Sequence, residues 1–89
     1  MIVKEVFINN KSGLQSKTAA IFIQKASSFK SSIWIEKDER KANAKSLLGL
    51  LSLGISGGTK VIVTVEGEDE EKAAEELQDY LQSGINDNI

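Results

Sequence analysis

Lys45-Ser46-Leu47-Leu48-Gly49-Leu50-Leu51-Ser52-Leu53-Gly54 is the stretch on which the fold turns. Leucine fills five of the seven positions between Ser46 and Gly54. Ser46 is a good N-cap, because its hydroxyl can accept a bond from a free backbone N–H of the first turn. Gly54 is a good stop, because glycine reaches the left-handed conformation that ends many helices. The spacing predicts a short helix over 47–53. So short a helix cannot bury every leucine. Taking Leu50 and Leu53 inward turns Leu47, Leu48 and Leu51 toward solvent or the helix flank. Full burial of a leucine is worth about 1.5–3 kcal/mol, so leaving several outside is a noticeable loss for a small domain. Two readings stay open here: a helix wedged between neighbours and buried nearly all round, or an apolar patch that meets a partner.

Downstream, Gly57-Gly58 is a turn, and Lys60 to Glu66 alternates with Val61, Val63 and Val65 against Ile62 and Thr64, the clearest strand in the chain. Gly67 breaks it. A last helix is expected from about Asp69 to Ser83, capped by Asp69, with Glu70 and Glu71 suited to the positive end of its dipole. Ala73, Ala74, Leu77 and Leu81 form its buried stripe and Gly84 ends it. Residues 1–84 read as one domain and 85–89 as a flexible tail.

Upstream, Ser31 to Lys37 alternates, Asp38-Glu39 is a turn, and Arg40 to Ala44 returns, which makes a β-hairpin. A helix is expected from Ser16 to about Ser28, with Ala19, Phe22, Ile23 and Ala26 inside and Gln15 or Ser16 at its N-cap. Ile2 to Ile8 is a strand whose pattern alone does not say which face is inside. The order is β-α-β-β-α-β-α, an α+β two-layer sandwich with helices over one sheet face. The other face then carries Val3, Phe7, Trp34, Ile62 and Thr64. It is either an amphipathic sheet surface with chance hydrophobes or a self-association surface.

The chain has 89 residues, enough for one core and no second. It has no cysteine and no histidine, which excludes thiolate chemistry, imidazole acid–base catalysis, histidine-ligated metal and phosphohistidine. No nucleophile–base pair and no metal cluster stands out, so neither an enzyme nor a cofactor is expected. The acidic stretch from Glu66 to Glu76 reads as a solvated helix start rather than a metal site. Net charge is −2, but residues 1–60 carry a balance of +6 and residues 61–89 one of −8. That balance argues against direct nucleic-acid binding and leaves a local basic face for an acidic patch or a phosphate. No membrane-length apolar run or secretory segment is present, and a cytoplasmic protein is expected.

Ser46 has two readings: a plain cap, or a phosphorylation site. A phosphate there would meet free backbone N–H groups and the positive end of the helix dipole. Lys45 and Lys41 are expected to add positive charge nearby. The modification would place about −1.5 to −2 charges beside an apolar patch, a surface that a partner's cation could read.

Gly13-Leu14-Gln15-Ser16-Lys17-Thr18-Ala19-Ala20, followed at this distance by the leucine-rich stretch, resembles the HPr family of bacterial phosphotransferase-system phosphocarriers. The first segment is similar to the family motif Gly-[Ile/Leu]-His-Ala-Arg-Pro-Ala. The second is similar to the regulatory motif Lys-Ser-Ile-Met-Gly-[Val/Leu]-Met-Ser-Leu-Gly. Gly67-Glu68-Asp69-Glu70 matches the turn before the family's last helix. The resemblance implies an open-faced β-sandwich with antiparallel strand order 1-4-2-3.

It also implies a role. Gln15 occupies the place of the phosphoryl-accepting histidine, and an amide cannot relay phosphate. Glutamine there with the serine motif kept is similar to the Crh subfamily of catabolite repression. For that subfamily the resemblance implies phosphorylation of Ser46 by HPr kinase/phosphorylase and contact with a CcpA-type transcription regulator. The implied partner-binding residues are Gln15, Lys17, Lys45, Leu47, Leu48 and Leu51. Lys17 stands for the family's arginine, keeping charge without the bidentate fork. Thr18 stands for its proline, restoring a backbone N–H and, on this expectation, relaxing the helix start. Two other readings are a carrier with some other acceptor, and a purely structural interaction module whose open face serves binding or dimerisation as a homodimer.

Overall fold

The structure, a computed structural model, describes residues 1–85. Its centre is the strand with the cleanest alternation. That strand, β4 (Lys60–Glu66), pairs antiparallel with β1 (Ile2–Phe7) on one side and β2 (Ser32–Lys37) on the other. The strand β3 (Arg40–Asn43) pairs antiparallel with β2, giving the order β1-β4-β2-β3. The expected topology is therefore the observed one. The helices are α1 (Ser16–Ser27), α2 (Leu47–Leu53) and α3 (Glu70–Asp79), which continues into a π-helical turn over Tyr80–Gly84.

Register decides which face is dry. Val61, Val63 and Val65 are opposite Val6, Ile35 and Ile33, and all six are buried. Phe22 of α1, Leu50 and Leu53 of α2, and Ala73, Ala74, Leu77 and Leu81 around α3 complete the core. A residue slip in β1 would turn Val6 out and Phe7 in, so the valine ladder of β4 settles what the β1 pattern left open. The other face carries Val3 and Trp34, both paired with Thr64, together with Phe7 and the half-buried Ile62. Val3, Phe7 and Trp34 are exposed, as the two-layer reading expects.

Two differences at the C-terminal end have clear causes. The expected single helix to Ser83 changes to π geometry at Tyr80. There the Tyr80 hydroxyl donates to the Thr18 carbonyl across the core (3.1 Å), and Asn9 Nδ2 donates to the Gln82 carbonyl (2.9 Å). Ile85, assigned to the tail, is half-buried and packs on the core, whereas 86–89 lie outside the described residues.

Asp69 sits at the start of α3 but does not cap it with its side chain. Its carboxylate accepts from the Lys30 N–H (2.9 Å), the Ser31 N–H (3.0 Å) and the Ser31 hydroxyl. Ser31 is buried, so its N–H needs an acceptor and the nearest anion supplies it. The Ser31 hydroxyl first, and then the Lys30 N–H, hold the Asp69 carboxyl below its ordinary range. Glu70 serves the helix start instead. It accepts from the Gly67 N–H (3.0 Å) and pairs with the N-terminal ammonium (3.0 Å), and both lower its pKa.

Candidate functional site

Ser46 stands at the N-cap of α2 in extended geometry, and its Oγ accepts from the Gly49 N–H at 3.2 Å. Its own N–H donates to the Asn43 carbonyl (3.0 Å), so the end of β3 fixes where α2 begins. Gly49 faces β3 closely: a Cβ there would lie 3.3 Å from the Ala42 Cβ. At the other end Gly54 takes φ +62 and its N–H donates to the Leu51 carbonyl, as a left-handed cap should.

The leucines divide as the short-helix reading expects. Leu50 and Leu53 are buried, whereas Leu48 is 80% exposed, Leu47 43% and Leu51 39%. The helix is therefore not buried on all sides, and three of its leucines face solvent. Ser46 itself is half-buried rather than sealed, with the leucine patch starting at the next residue.

The expected basic surroundings of Ser46 are corrected. The Lys45 ammonium donates to the carbonyls of Phe29 and Ser31, both at 2.9 Å. The segment between α1 and β2 is thus held from two sides, its carbonyls by Lys45 and its amides by Asp69. Lys41 lies with its ammonium 6.0 Å from the centre of the Trp34 ring, over the open face of the sheet. Both charges go to tertiary partners that a linear reading cannot see.

Sequence reasoning also missed Lys37 and Arg40. Lys37 Nζ donates to the carbonyls of Gly54 (2.8 Å) and Leu53 (3.4 Å). Arg40 donates to those of Ser52 (3.1 Å) and Leu53 (3.2 Å). The last carbonyls of a helix have no internal partner and carry partial negative charge, which two cations here satisfy. The signal was present: two cations flank the tight turn Asp38-Glu39.

At the other motif, Gln15 is the extended N-cap of α1 and its side chain is exposed, as is Lys17. The Gln15 N–H donates to Thr18 Oγ1 (2.9 Å), and the Thr18 hydroxyl lies within reach of the Gly13 and Gln15 carbonyls (3.4 and 3.3 Å). Thr18 is buried and its carbonyl holds Tyr80. The Thr18 hydroxyl thus ties the helix start at the position where the family carries proline. The Leu14 N–H donates to the Ile55 carbonyl (3.0 Å), so this motif meets α2 just beyond its C-terminal end. Ser46 begins α2. The two motifs bracket a helix about 10 Å long and form no single reacting pair.

Chain-wide similarity agrees with this architecture. The family model "PTS HPr component phosphorylation site" matches residues 2–83. The chain belongs to the HPr family. The HPr-like protein Crh of Bacillus subtilis is 45% identical over 85 residues, covering 96% of this chain and all of that one. The HPr-C-His crystal structure from Thermoanaerobacter tengcongensis superimposes with TM-score 0.91 at 46% identity, covering 97% of this chain and 99% of that one. A crystal structure of Bacillus subtilis Crh, described as a swapped, intertwined dimer, gives TM-score 0.77 at 44% identity, with the same coverage. Within this HPr fold, a groove of about 480 Å³ between α1 and the π-turn is lined by Ile21, Lys25 and Tyr80 and includes none of the motif residues. Among the described residues no group of three or more carboxylates is placed to hold a metal ion.

Proposed function

We propose that this chain is a cytoplasmic regulator, itself a substrate and not an enzyme, that is switched by phosphorylation of Ser46. The writer is an HPr kinase/phosphorylase using ATP, and the phosphorylated form addresses a CcpA-type transcription regulator by protein contact rather than by touching nucleic acid. Residues 1–84 act as one unit. The observation that carries the reading is the junction of a half-buried hydroxyl with the exposed patch of Leu47, Leu48 and Leu51. A docking enzyme can seat on the leucines while the Ser46 hydroxyl gives up its weak cap bond. Gln15 and Lys17 extend the contact surface, and Lys45 fixes the loop beneath it. Gln15 takes no phosphoryl group, because an amide lacks the nucleophilic lone pair of an imidazole.

The test is incubation with the kinase and ATP. One phosphoryl group by mass, absent in Ser46→Ala, is expected; no incorporation by a kinase that modifies an ordinary HPr rejects the reading. With phosphoenolpyruvate and Enzyme I instead, no acid-labile phosphoryl group is expected. A second reading, a homodimer through apolar surface, is favoured by the exposure of Val3 (58%) and Phe7 (50%) on the open face. Crh and HPr relatives solved as dimers lend it support. Sedimentation equilibrium at rising concentration tests it, and a constant monomer mass rejects it.

A further inference from the structure

The hairpin turn contains an arrangement that sheet energetics alone disfavours. Lys37 and Arg40 are direct cross-strand partners in β2 and β3. Like charges placed opposite each other weaken a strand pair. The turn between them is tight, with Asp38 at φ 52 and Glu39 at φ 67, so the two side chains are held side by side. Lys37 shares its face with Ile33 and Ile35, the face that packs toward the helices. Both cations therefore emerge beneath the end of α2, where they donate to the carbonyls of Ser52, Leu53 and Gly54.

α2 needs such a mount. Helices this short are unstable without tertiary support. Its core anchors are Leu50 and Leu53, and its other leucines point outward. Its N-terminal end is fixed by Ser46 to Asn43, and its middle lies on Ala42 through Gly49. The C-terminal end, where Leu51 is displayed, rests on the Lys37–Arg40 pair.

We infer that Lys37 and Arg40 are positioning residues for the docking surface: they grip the C-terminal carbonyls of α2 from the β2–β3 hairpin and so hold Leu48 and Leu51 in one orientation before a partner arrives. This rests on the proposed role of the leucine patch, but the grip itself can be measured without any partner. Without the pair the end of α2 frays, and a docking partner must order it at the moment of binding.

The experiment compares the full chain with the Lys37→Met/Arg40→Met variant, which keeps apolar stems and removes both charges. Hydrogen exchange at the amides of Leu53 and Gly54 is expected to quicken about tenfold, with the β4 amides unchanged. The KM for phosphorylation by the serine kinase is expected to rise about fivefold with kcat within about twofold. The swapped variant Lys37→Arg/Arg40→Lys is expected to keep both values. Unchanged exchange at Leu53 and Gly54 overturns the grip, and faster exchange with an unchanged KM overturns its role in docking. If β4 also loses protection, the single Arg40→Met variant decides by the same criteria. A wild-type chain that the kinase ignores defeats the proposed function instead, and the exchange comparison still decides the grip.

Discussion

The two helix starts carry the two family motifs and use their polar groups in opposite ways. At α1 the polar groups of Thr18 are committed inward. Thr18 is buried, its hydroxyl closes on the backbone of residues 13–15, and its carbonyl holds Tyr80 from the far end of the chain. Gln15, Ser16 and Lys17 remain outside. At α2 the capping hydroxyl makes one 3.2 Å bond to Gly49, and the apolar side chains beside it face solvent. The first start is therefore a joint in the fold. The second keeps a half-buried hydroxyl and an exposed apolar patch together at little cost to the core. A phosphocarrier needs its chemistry at the first start; on the proposed reading, a chain with glutamine there carries its switch at the second.

The largest expected effect comes from breaking α2's attachment rather than its surface. Leu50→Ala removes a buried anchor and should cost about 2–5 kcal/mol in urea unfolding, whereas Leu48→Ala should stay within about 0.5 kcal/mol. If the two cost the same, the division of the helix into core and display faces is wrong. Leu48→Ala should instead weaken kinase docking, read as a raised KM.

Thr18→Val tests whether the α1 start is a joint. It keeps the shape and leaves the Gln15 N–H without its acceptor, for an expected loss of about 1–3 kcal/mol in the same assay. Ser46→Ala should cost less, about 1 kcal/mol, the usual value of a lost N-cap. A reversed ranking of these two would mean that the cap at Ser46 is structural first, and would weaken its assignment as a switch.

The pH dependence sharpens the contrast from a third place, the Asp69 tie. Its carboxyl is held below the unfolded value of about 3.9 by the Ser31 hydroxyl and the Lys30 N–H. The stability it contributes is present above that pH and is lost as pH falls through the folded pKa. Asp69→Asn should therefore lower stability most at neutral pH and flatten part of the acid limb of a stability–pH curve below about pH 4. Glu70, also depressed, should leave some of that limb in place. An unchanged acid limb would show that the 29–31 segment is held by Lys45 alone.

Much of this was legible in the residues because the signals are local. Val61, Val63 and Val65 alternate within one strand, and Ser46 and Gly54 cap a helix seven residues long. Leu50 and Leu53 follow from the period of that same helix. The family motifs are likewise contiguous, so their placement at helix starts could be read directly. The tail is a weaker case. The loop composition at 85–89 hid the contact that Ile85 makes with the core.

By itself, then, the sequence determined the order of elements, the ends of α2 and the absence of any imidazole. Each depends on neighbours within a few positions or on residue identity alone. Only the tertiary structure decided where the long charged side chains go. Lys45 reaches back to Phe29 and Ser31, Asp69 to Lys30 and Ser31, and Lys37 forward to Gly54. A lysine or aspartate can satisfy its charge with any group within reach. Which backbone carbonyls and amides lie unpaired within that reach is fixed by how the layers pack.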